Sequence, residues 1–305
     1  MKQDFLHSSA PFYAMLFMLV WILGERVVAW KMKAHIGSWR ETLGNIQCGL
    51  GQILLEIPFK ALLILPYILI EDRFSLFQIP SNVWVLIGSF ILTDALHYWY
   101  HRLHHESSLL WKIHLVHHQP EEFNTSVGLR LPWLHKLTVF PFYLAQAILG
   151  VPVEIFVVTV SFHAVLQLWN HTELIKGHWG FLNYFIVTPS HHRVHHGKNP
   201  QYVNRNYAAI FSVWDYIFGT FTPEKEKVAY GIVQHIQTMN LYHSNFNMVN
   251  KLKSLSPLPN KEHFLAVLSI TVGMLVMYLA TGQHGEWMYG LILVFFVLLF
   301  PLPKI

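Results

Sequence analysis

Histidines concentrate in two short stretches of this 305-residue chain. Seven of its 21 histidines lie in DALHYWYHRLHHESSLLWKIHLVHH, residues 94–118, and four more lie in PSHHRVHHG, residues 189–197. Histidines three or four residues apart share one face of a helix. Eight residues show this spacing: His101 and His105; His114, His117 and His118; His192, His195 and His196. Packing gives no reason for this pattern, because every buried ring nitrogen needs a partner, so we predict that these residues bind metal.

The ligand type narrows the choice of metal. Neutral imidazole suits iron, zinc, copper and nickel, and eight nitrogens exceed what one ion binds, so two ions are expected. A structural zinc site has four ligands and usually includes cysteine, whereas Cys48 is the chain's one cysteine. The zinc-protease motif HExxH is also absent, because Leu109 stands where its second histidine would be. Two irons with open positions for oxygen explain the site better than zinc does.

The surrounding sequence is typical of a membrane protein. Hydrophobic residues make up 53% of the chain and charged residues 12%, whereas a soluble domain carries about 25% charged residues. Apolar segments that can form membrane helices occupy residues 11–30, 46–70, 83–100, 137–149, 151–169, 264–281 and 287–301. Gly150 separates the two shorter central segments, which are expected to form a helical hairpin.

The positive charges give an orientation. If residues 25–45, 101–136 and 170–263 face one side together with the C-terminus, nearly all of the 21 lysines and arginines lie there, and such a bias marks the cytoplasmic side. The sequence therefore predicts an all-α fold: a polytopic membrane helical bundle with a cytoplasmic-facing, histidine-rich metal-binding cap. The formal charge of +4 without a basic run predicts no nucleic-acid partner.

A metal-bound histidine usually donates its second ring N–H to a carboxylate or a carbonyl. Asp94 and Glu106 are the expected carboxylate partners, and Glu173 and Asp215 are the other acidic residues near the histidines. The alternative is that these carboxylates form surface ion pairs with arginines. The candidates for that pairing are Arg102, Arg193 and Arg205.

Three further histidines lie outside the predicted ligand set. His97 shares a helix face with Asp94 and His101 and is a candidate partner for a ligand. His104 points about 100° away from His105 on a helix and is expected to face solvent or lipid headgroups. The role of His191, which also lies off its helical ladder, stays open.

The ordered motifs resemble one family. HRLHHE, HLVHH, NHTE, TPSHHRVHHG and NYAAIFSVWDYIFGTF resemble the fatty acid hydroxylase / sterol desaturase superfamily of membrane di-iron enzymes over about residues 88–222. Within it, WNHTE and TPSHHRVHHG are most similar to the alkylglycerol monooxygenases and their bacterial relatives. The resemblance implies that the eight histidines bind metal, adds His171 to them, and matches Glu106 to a glutamate of the alkylglycerol enzymes. Gln167 stands where some relatives have a histidine.

The resemblance over residues 88–222 and the apolar segments on either side together predict a division of the chain into four regions. N-terminal transmembrane helices occupy residues 1–87, and the histidine-box catalytic core occupies residues 88–222. A cytoplasmic connector follows at residues 223–263, and a C-terminal transmembrane hairpin ends the chain at residues 264–305. The protein is then an integral, multi-pass protein of a bacterial inner membrane or of the endoplasmic reticulum.

The function implied is an O2-dependent oxidation of a lipid C–H bond by a non-haem di-iron site. In the alkylglycerol branch the substrate is an ether lipid and tetrahydrobiopterin is the reductant. The alternative is a sterol, carotenoid or fatty-acyl hydroxylase or desaturase that receives electrons from a separate electron-transfer protein. A third class is a non-catalytic metal-binding membrane protein, although none of the three histidine motifs is broken. The sequence leaves the lipid, the donor and the oligomeric state open.

Overall fold

The computed structural model describes residues 10–232 and 244–245, without the side chains of residues 10–15 and 56–63. All of them belong to one compact unit, Met1–Ser254. The predicted C-terminal hairpin and most of the predicted connector lie outside the described residues. Domain boundaries therefore stay predictions.

The described part of the chain is helical and contains no strand, which confirms the predicted all-α class for these residues. Eight helices follow one another: α1 Ala10–Met32, α2 Trp39–Phe74, α3 Val83–Glu106, α4 Ser108–His118, α5 His135–Leu149, α6 Val153–Gln167, α7 Pro189–His195 and α8 Val213–Ile217. Short 3₁₀ helices occupy Thr125–Leu129, Leu168–Asn170 and Gly180–Tyr184.

Side chains at the helix starts satisfy free backbone amides. Ser38 precedes α2 and accepts a hydrogen bond from the amide of Glu41. Asn82 precedes α3 and accepts from the amides of Trp84 and Val85. Such capping residues supply partners for amides that have none within the helix. The caps therefore define where these two long apolar helices begin.

Two helices, α5 and α6, occupy the predicted segments 137–149 and 151–169 and are separated at Gly150, but they pack on α3 more closely than on each other. Gly150 ends α5 with a φ of 89°, a conformation that favours glycine. A Cβ atom at this position would lie 1.9 Å from the carbonyl oxygen of Phe77. The turn between the helices therefore requires glycine for both its backbone angle and its close contact.

Polar contacts fix α3 against α5. The Ser89 hydroxyl donates to the Gln146 amide oxygen over 2.6 Å, and the Gln146 amide nitrogen donates to Thr93 over 2.9 Å. Around these contacts the helices pack through a buried apolar cluster: Tyr67, Tyr100, Val139, Phe142, Tyr143, Ala147, Val153 and Phe156. The packing sets the position of α3, whose last turns carry His101 and His105.

One described helical segment, Val153–Asn170, is long and apolar enough to cross a membrane. The predicted multi-pass topology therefore stays a prediction.

Candidate metal centre

Nine histidines converge in two adjacent groups. The five-histidine group consists of His101, His105, His114, His118 and His195, and the four-histidine group consists of His117, His171, His192 and His196. Within each group the candidate ligand nitrogens all lie within 4.8 Å of one another. The groups touch, because the rings of His118 and His196 stack with centroids 4.3 Å apart.

Each motif reaches the centre from a different element. α3 carries His101 and His105, α4 carries His114, His117 and His118, and His171 directly follows the 3₁₀ helix Leu168–Asn170. His192 and His195 lie on α7, and His196 caps its C-terminal end. α7 begins with Pro189 at its first helical position, where proline is favoured because its missing N–H is not needed.

The spacing of the Nε2 atoms fits shared metal ions. The distances are 3.1 Å for His101–His114, 3.2 Å for His118–His114, 3.4 Å for His171–His117, 2.8 Å for His192–His171 and 3.2 Å for His196–His192. Two nitrogens about 2.1 Å from one ion lie about 3.0–3.4 Å apart for coordination angles between 90° and tetrahedral. Four of the five observed separations lie within this range, and the His192–His171 separation is shorter.

Backbone carbonyls fix the tautomer of four rings. A carbonyl can only accept, so the Nδ1 atom that faces it must carry the proton. His101 donates to Tyr207, His117 to Arg130, His171 to Gln167 and His195 to Arg205, over 2.8, 3.2, 3.2 and 3.0 Å. Their Nε2 atoms therefore hold lone pairs, as metal ligands require.

Two of these lone pairs face each other. His117 and His171 both donate from Nδ1, so neither of their Nε2 atoms, 3.4 Å apart, has a proton to share. The Nε2 atom of His195 is likewise buried and has no partner. Opposed and orphaned lone pairs are unfavourable unless a cation lies between them, so the donor set fits metal ions.

Protons are poor candidates for that cation. Burial lowers the pKa of His117 to about 4 and that of His101 to about 3. Burial, together with the neighbouring histidine His117, also lowers the pKa of His171 well below its usual value. At pH 7 these rings are neutral, which is the form that binds a metal.

The comparisons with known proteins match the part of the chain that carries the nine histidines. Residues 86–220 match the family model described as Fatty acid hydroxylase.

Residues 86–220 are a fatty acid hydroxylase domain.

Relatives that match this domain are named for reactions on lipids. The chain is 36% identical to the human alkylglycerol monooxygenase over 237 residues, which are 77% of this chain and 52% of the human protein. It is 34% identical to the Xenopus tropicalis alkylglycerol monooxygenase over 226 residues, 74% of this chain and 50% of that protein. An ornithine lipid hydroxylase of Rhizobium tropici is 32% identical over 149 residues, 47% of this chain and 43% of that protein.

The chain spans about half the length of the alkylglycerol monooxygenases that it matches. No solved structure is similar to it. The predicted resemblance to the hydroxylase superfamily is confirmed by these comparisons.

The two carboxylates expected beside the ligands have other partners. Asp94 is fully buried, but it accepts from His163 Nε2 over 2.7 Å and from the indole of Trp214 over 2.8 Å. Glu106 forms an ion pair with Arg102 over 2.8 Å, and its side chain is 42% exposed. The described contacts therefore do not match the expectation for either residue, and for Glu106 they match the surface alternative. Carbonyls take the place of carboxylates.

His104 was expected to face solvent or lipid headgroups, and this expectation is wrong. The residue has no exposed surface. Its Nδ1 donates to the carbonyl of Tyr100 over 2.7 Å, and its Nε2 contacts the Thr138 hydroxyl at 2.8 Å. The helical angle was right, but α5 packs on the side to which His104 points and supplies its partner.

Three further candidates lie near the nine histidines without belonging to either group. His97 packs its ring 5.3 Å from that of His101 and contacts the Tyr100 hydroxyl through Nδ1 at 2.8 Å. The Gln167 side chain contacts His163, and its carbonyl is the partner of His171. Glu173 instead accepts hydrogen bonds from Lys176 and Tyr230.

His191, whose role the sequence left open, is buried at the start of α7. Its Nδ1 accepts from the amide of Thr188 over 3.4 Å. The residue therefore holds the first turn of the helix that carries His192 and His195.

Sequence reasoning missed Arg130 and the segment 205–208. Arg130 is fully buried and donates to the Val116 carbonyl over 2.9 Å and to the Gln119 side chain over 2.8 Å, which ties it to the end of α4. Its own carbonyl is the partner of His117. Backbone carbonyls carry no sequence signal. The one signal in the sequence was an arginine close to a histidine motif.

Proposed function

We propose that this chain is an O2-dependent lipid oxygenase in which the two histidine groups hold two non-haem irons. The observation that carries the proposal is the set of buried Nε2 lone pairs, among which those of His117 and His171 oppose each other at 3.4 Å. Imidazole suits iron, and the hydroxylase domain that covers this site supports an oxidoreductase. The proposed ligands are the nine histidines of the two groups.

Iron, when bound, would supply oxygen activation and the oxidation of a lipid C–H bond. The chain's own contribution is to keep the nine imidazoles neutral and to hold each ring in the orientation that a metal ligand requires. The carbonyls of Tyr207 and Arg205 orient rings of the five-histidine group, and those of Arg130 and Gln167 orient rings of the four-histidine group. Burial of the ligands excludes bulk water, which limits side reactions of the oxidant.

The proposed substrate is an ether lipid of the alkylglycerol class. The support is the similarity to alkylglycerol monooxygenases from human and Xenopus tropicalis at 36% and 34% identity. Hydroxylation at the carbon beside the ether oxygen gives a hemiacetal, which breaks down to an aldehyde and a glycerol. The proposed reductant is tetrahydrobiopterin, with a separate electron-transfer protein as the alternative.

A second candidate is a hydroxylase or desaturase of sterols, carotenoids or fatty-acyl lipids. It is favoured by the similarity to the ornithine lipid hydroxylase and to a rat protein named methylsterol monooxygenase 1, which is 33% identical over 147 residues. A non-catalytic metal-binding membrane protein is the candidate from another class.

The test is an anaerobic preparation loaded with ⁵⁷Fe and examined by Mössbauer spectroscopy. The preparation is then exposed to O2 with an alkylglycerol and reduced pterin, and His118→Ala is the control. Two irons per chain with substrate-dependent aldehyde support both the site and the ether-lipid substrate. Two irons without aldehyde contradict the ether-lipid substrate and favour the second candidate. A protein that binds no iron, or a His118→Ala variant with full activity, contradicts the oxygenase proposal.

The proposed location is a membrane, crossed several times, with the metal centre at the cytoplasmic face. Its support is the apolar surface of the described helices: Trp21 is 44% exposed on α1, and Trp84 and Ile91 are 77% and 45% exposed on α3. Large exposed apolar faces mark contact with lipid or with another protein. The proposed arrangement has the exposed residues Gln78 and Lys227 on opposite sides.

Cysteine labelling in sealed vesicles tests this arrangement. The native Cys48 is buried and gives a low background. An impermeant maleimide should label Lys227→Cys from the cytoplasmic side and Gln78→Cys from the other side. Labelling of both from one side would contradict the topology.

A further inference from the structure

The segment 205–208 provides the carbonyls for two rings of one histidine group. His195 Nδ1 donates to the Arg205 carbonyl over 3.0 Å, and His101 Nδ1 donates to the Tyr207 carbonyl over 2.8 Å. Both rings belong to the five-histidine group. A contact that holds this segment in place therefore also holds two proposed ligands of the same ion in place.

A carboxylate holds the peptide group that His101 contacts. Asp215, which is 2% exposed, accepts from the Ala208 amide through Oδ2 over 3.0 Å. The Ala208 N–H and the Tyr207 carbonyl are the two ends of one planar peptide group. A hydrogen-bonded line thus runs from the Asp215 carboxylate through that peptide to the ring of His101.

A second line runs from the same residue to His195. The Arg205 carbonyl shares its peptide group with the Asn206 amide, which donates to the carbonyl of Thr220 over 3.1 Å. Thr220 is bound to Asp215 twice, by its hydroxyl to Oδ1 over 2.7 Å and by its amide to the Asp215 carbonyl over 2.8 Å. Both orienting carbonyls therefore depend on Asp215.

We infer that Asp215 is a positioning residue for the metal ion of the five-histidine group, and that it acts through the peptide groups of residues 205–208 on His101 and His195. The inference rests on the proposed function, because it requires that the group binds an ion. A carboxylate polarises the peptide that donates to it, and hydrogen bonds in a chain strengthen one another. Asp215 therefore both orients the His101 ring and increases its basicity, although it lies one peptide group away from the ring.

Asp94 offers a matched control in the same segment. It is a fully buried aspartate that accepts from two consecutive amides, Ile210 through Oδ1 and Phe211 through Oδ2, each over 3.0 Å. The carbonyl that shares a peptide group with the Ile210 amide belongs to Ala209 and accepts from Asn170, not from a histidine ring. Asp94→Asn thus disturbs the same segment without a hydrogen-bonded connection to the five-histidine group, because its other contacts lead through His163 and Gln167 to His171 of the four-histidine group.

The experiment measures iron release from the anaerobic, iron-loaded full chain into a chromophoric Fe(II) chelator. In Asp215→Asn the Ala208 amide loses its acceptor. Loss of an outer partner of a ligand typically weakens metal binding by about 10–100-fold. We expect one of the two irons of Asp215→Asn to leave at least about tenfold faster than in the unsubstituted protein, and the other at the original rate. His195→Ala and His192→Ala identify which group the faster iron occupies.

Asp94→Asn should release the iron of the five-histidine group at the rate of the unsubstituted protein, even where its melting temperature falls. A purely structural role of Asp215 would accelerate the two irons equally, and that result, or unchanged release, would overturn the inference. If Asp215→Asn does not fold, Thr220→Val removes the hydroxyl contacts with Asp215 and Tyr98 and keeps the backbone contact, and it should accelerate the same single iron by a smaller factor. An unsubstituted protein that binds fewer than two irons would contradict the proposed function instead.

Discussion

At the scale of single residues, the position of a ring nitrogen decides whether a histidine can bind metal. His117 directs Nδ1 to a carbonyl and leaves Nε2 for an ion. His104 is just as buried, but its Nδ1 and Nε2 are both in contact with protein atoms, the Tyr100 carbonyl and the Thr138 hydroxyl. Two histidines of similar burial therefore have different roles, because only one of them has a free lone pair.

This contrast predicts different results for two alanine substitutions. His118→Ala should lower the iron content below two per chain and abolish activity, because it removes a proposed ligand of the five-histidine group. His104→Ala should keep two irons and lower the free energy of unfolding by about 1–3 kcal/mol, since it leaves buried polar groups without partners. Iron analysis and denaturant titration in detergent test both. Equal loss of iron from the two variants would contradict the assignment.

Glu41 predicts a pH dependence that is separate from the metal centre. Burial, together with a hydrogen bond that protonated Glu41 donates to the neighbouring Glu122, raises the pKa of Glu41 to about 7. The folded protein therefore holds a proton on Glu41 between about pH 4.5 and 7 that the unfolded chain has released. This contribution to stability is present at low pH and is lost as pH rises through 7.

We therefore expect Glu41→Gln to gain stability relative to the unsubstituted protein as pH rises from 4.5 to 7. Denaturant titrations of both proteins across this range give the difference in unfolding free energy. The exposed Glu226→Gln is the control and should show no such trend. A difference that stays constant for Glu41→Gln would contradict the proton on Glu41.

At the scale of elements, the packing of α3 on α5 and α6 determines where the first histidine motif lies. The contact of Ser89 with Gln146, at 2.6 Å, sets α3 against α5 at a fixed height. More than three helical turns beyond this contact, α3 presents His101 and His105. A change in the turn between α5 and α6 would therefore shift α5, and with it α3 and the two histidines that α3 carries.

Two glycines give opposite predictions for the same substitution. Gly150→Ala should destabilise the protein by more than about 2 kcal/mol, because an L residue in the left-handed region costs about 1–2 kcal/mol and its Cβ would overlap the Phe77 carbonyl. Gly88→Ala should stabilise α3 by about 0.5–1 kcal/mol, since no atom lies within 4 Å of the new Cβ. Thermal unfolding of both variants tests this. A tolerated Gly150→Ala would show that the turn does not need its positive φ.

At the scale of the whole molecule, the metal centre joins elements that are far apart in the chain. The proposed ligands come from α3, α4, the residue after Leu168–Asn170, and α7 with the residue that caps it. The unfolded chain lacks this arrangement, so ions bound only to the folded state add to its stability.

Removal of the metal should therefore lower the melting temperature. With free iron at about 100 times its dissociation constant, each site contributes about 2.7 kcal/mol. Calorimetry of the iron-loaded protein and of the chelator-treated protein measures this contribution. On chelation, the melting temperature of His118→Ala should fall less than that of the unsubstituted protein. An equal melting temperature with and without iron would contradict a metal centre that bridges these elements.

The sequence by itself determined the helical class, the break at Gly150 and eight of the nine converging histidines, because these follow from local spacing and residue chemistry. The resemblance to the hydroxylase family added His171. The sequence did not determine the division of the nine into groups of five and four, in which His114 and His117 of one helix separate. It also did not determine which atoms orient the ligands. The expected carboxylates, Asp94 and Glu106, contact other groups, and backbone carbonyls orient the rings instead. Every residue has a carbonyl, so only the tertiary packing of distant segments decides which of them face a histidine ring.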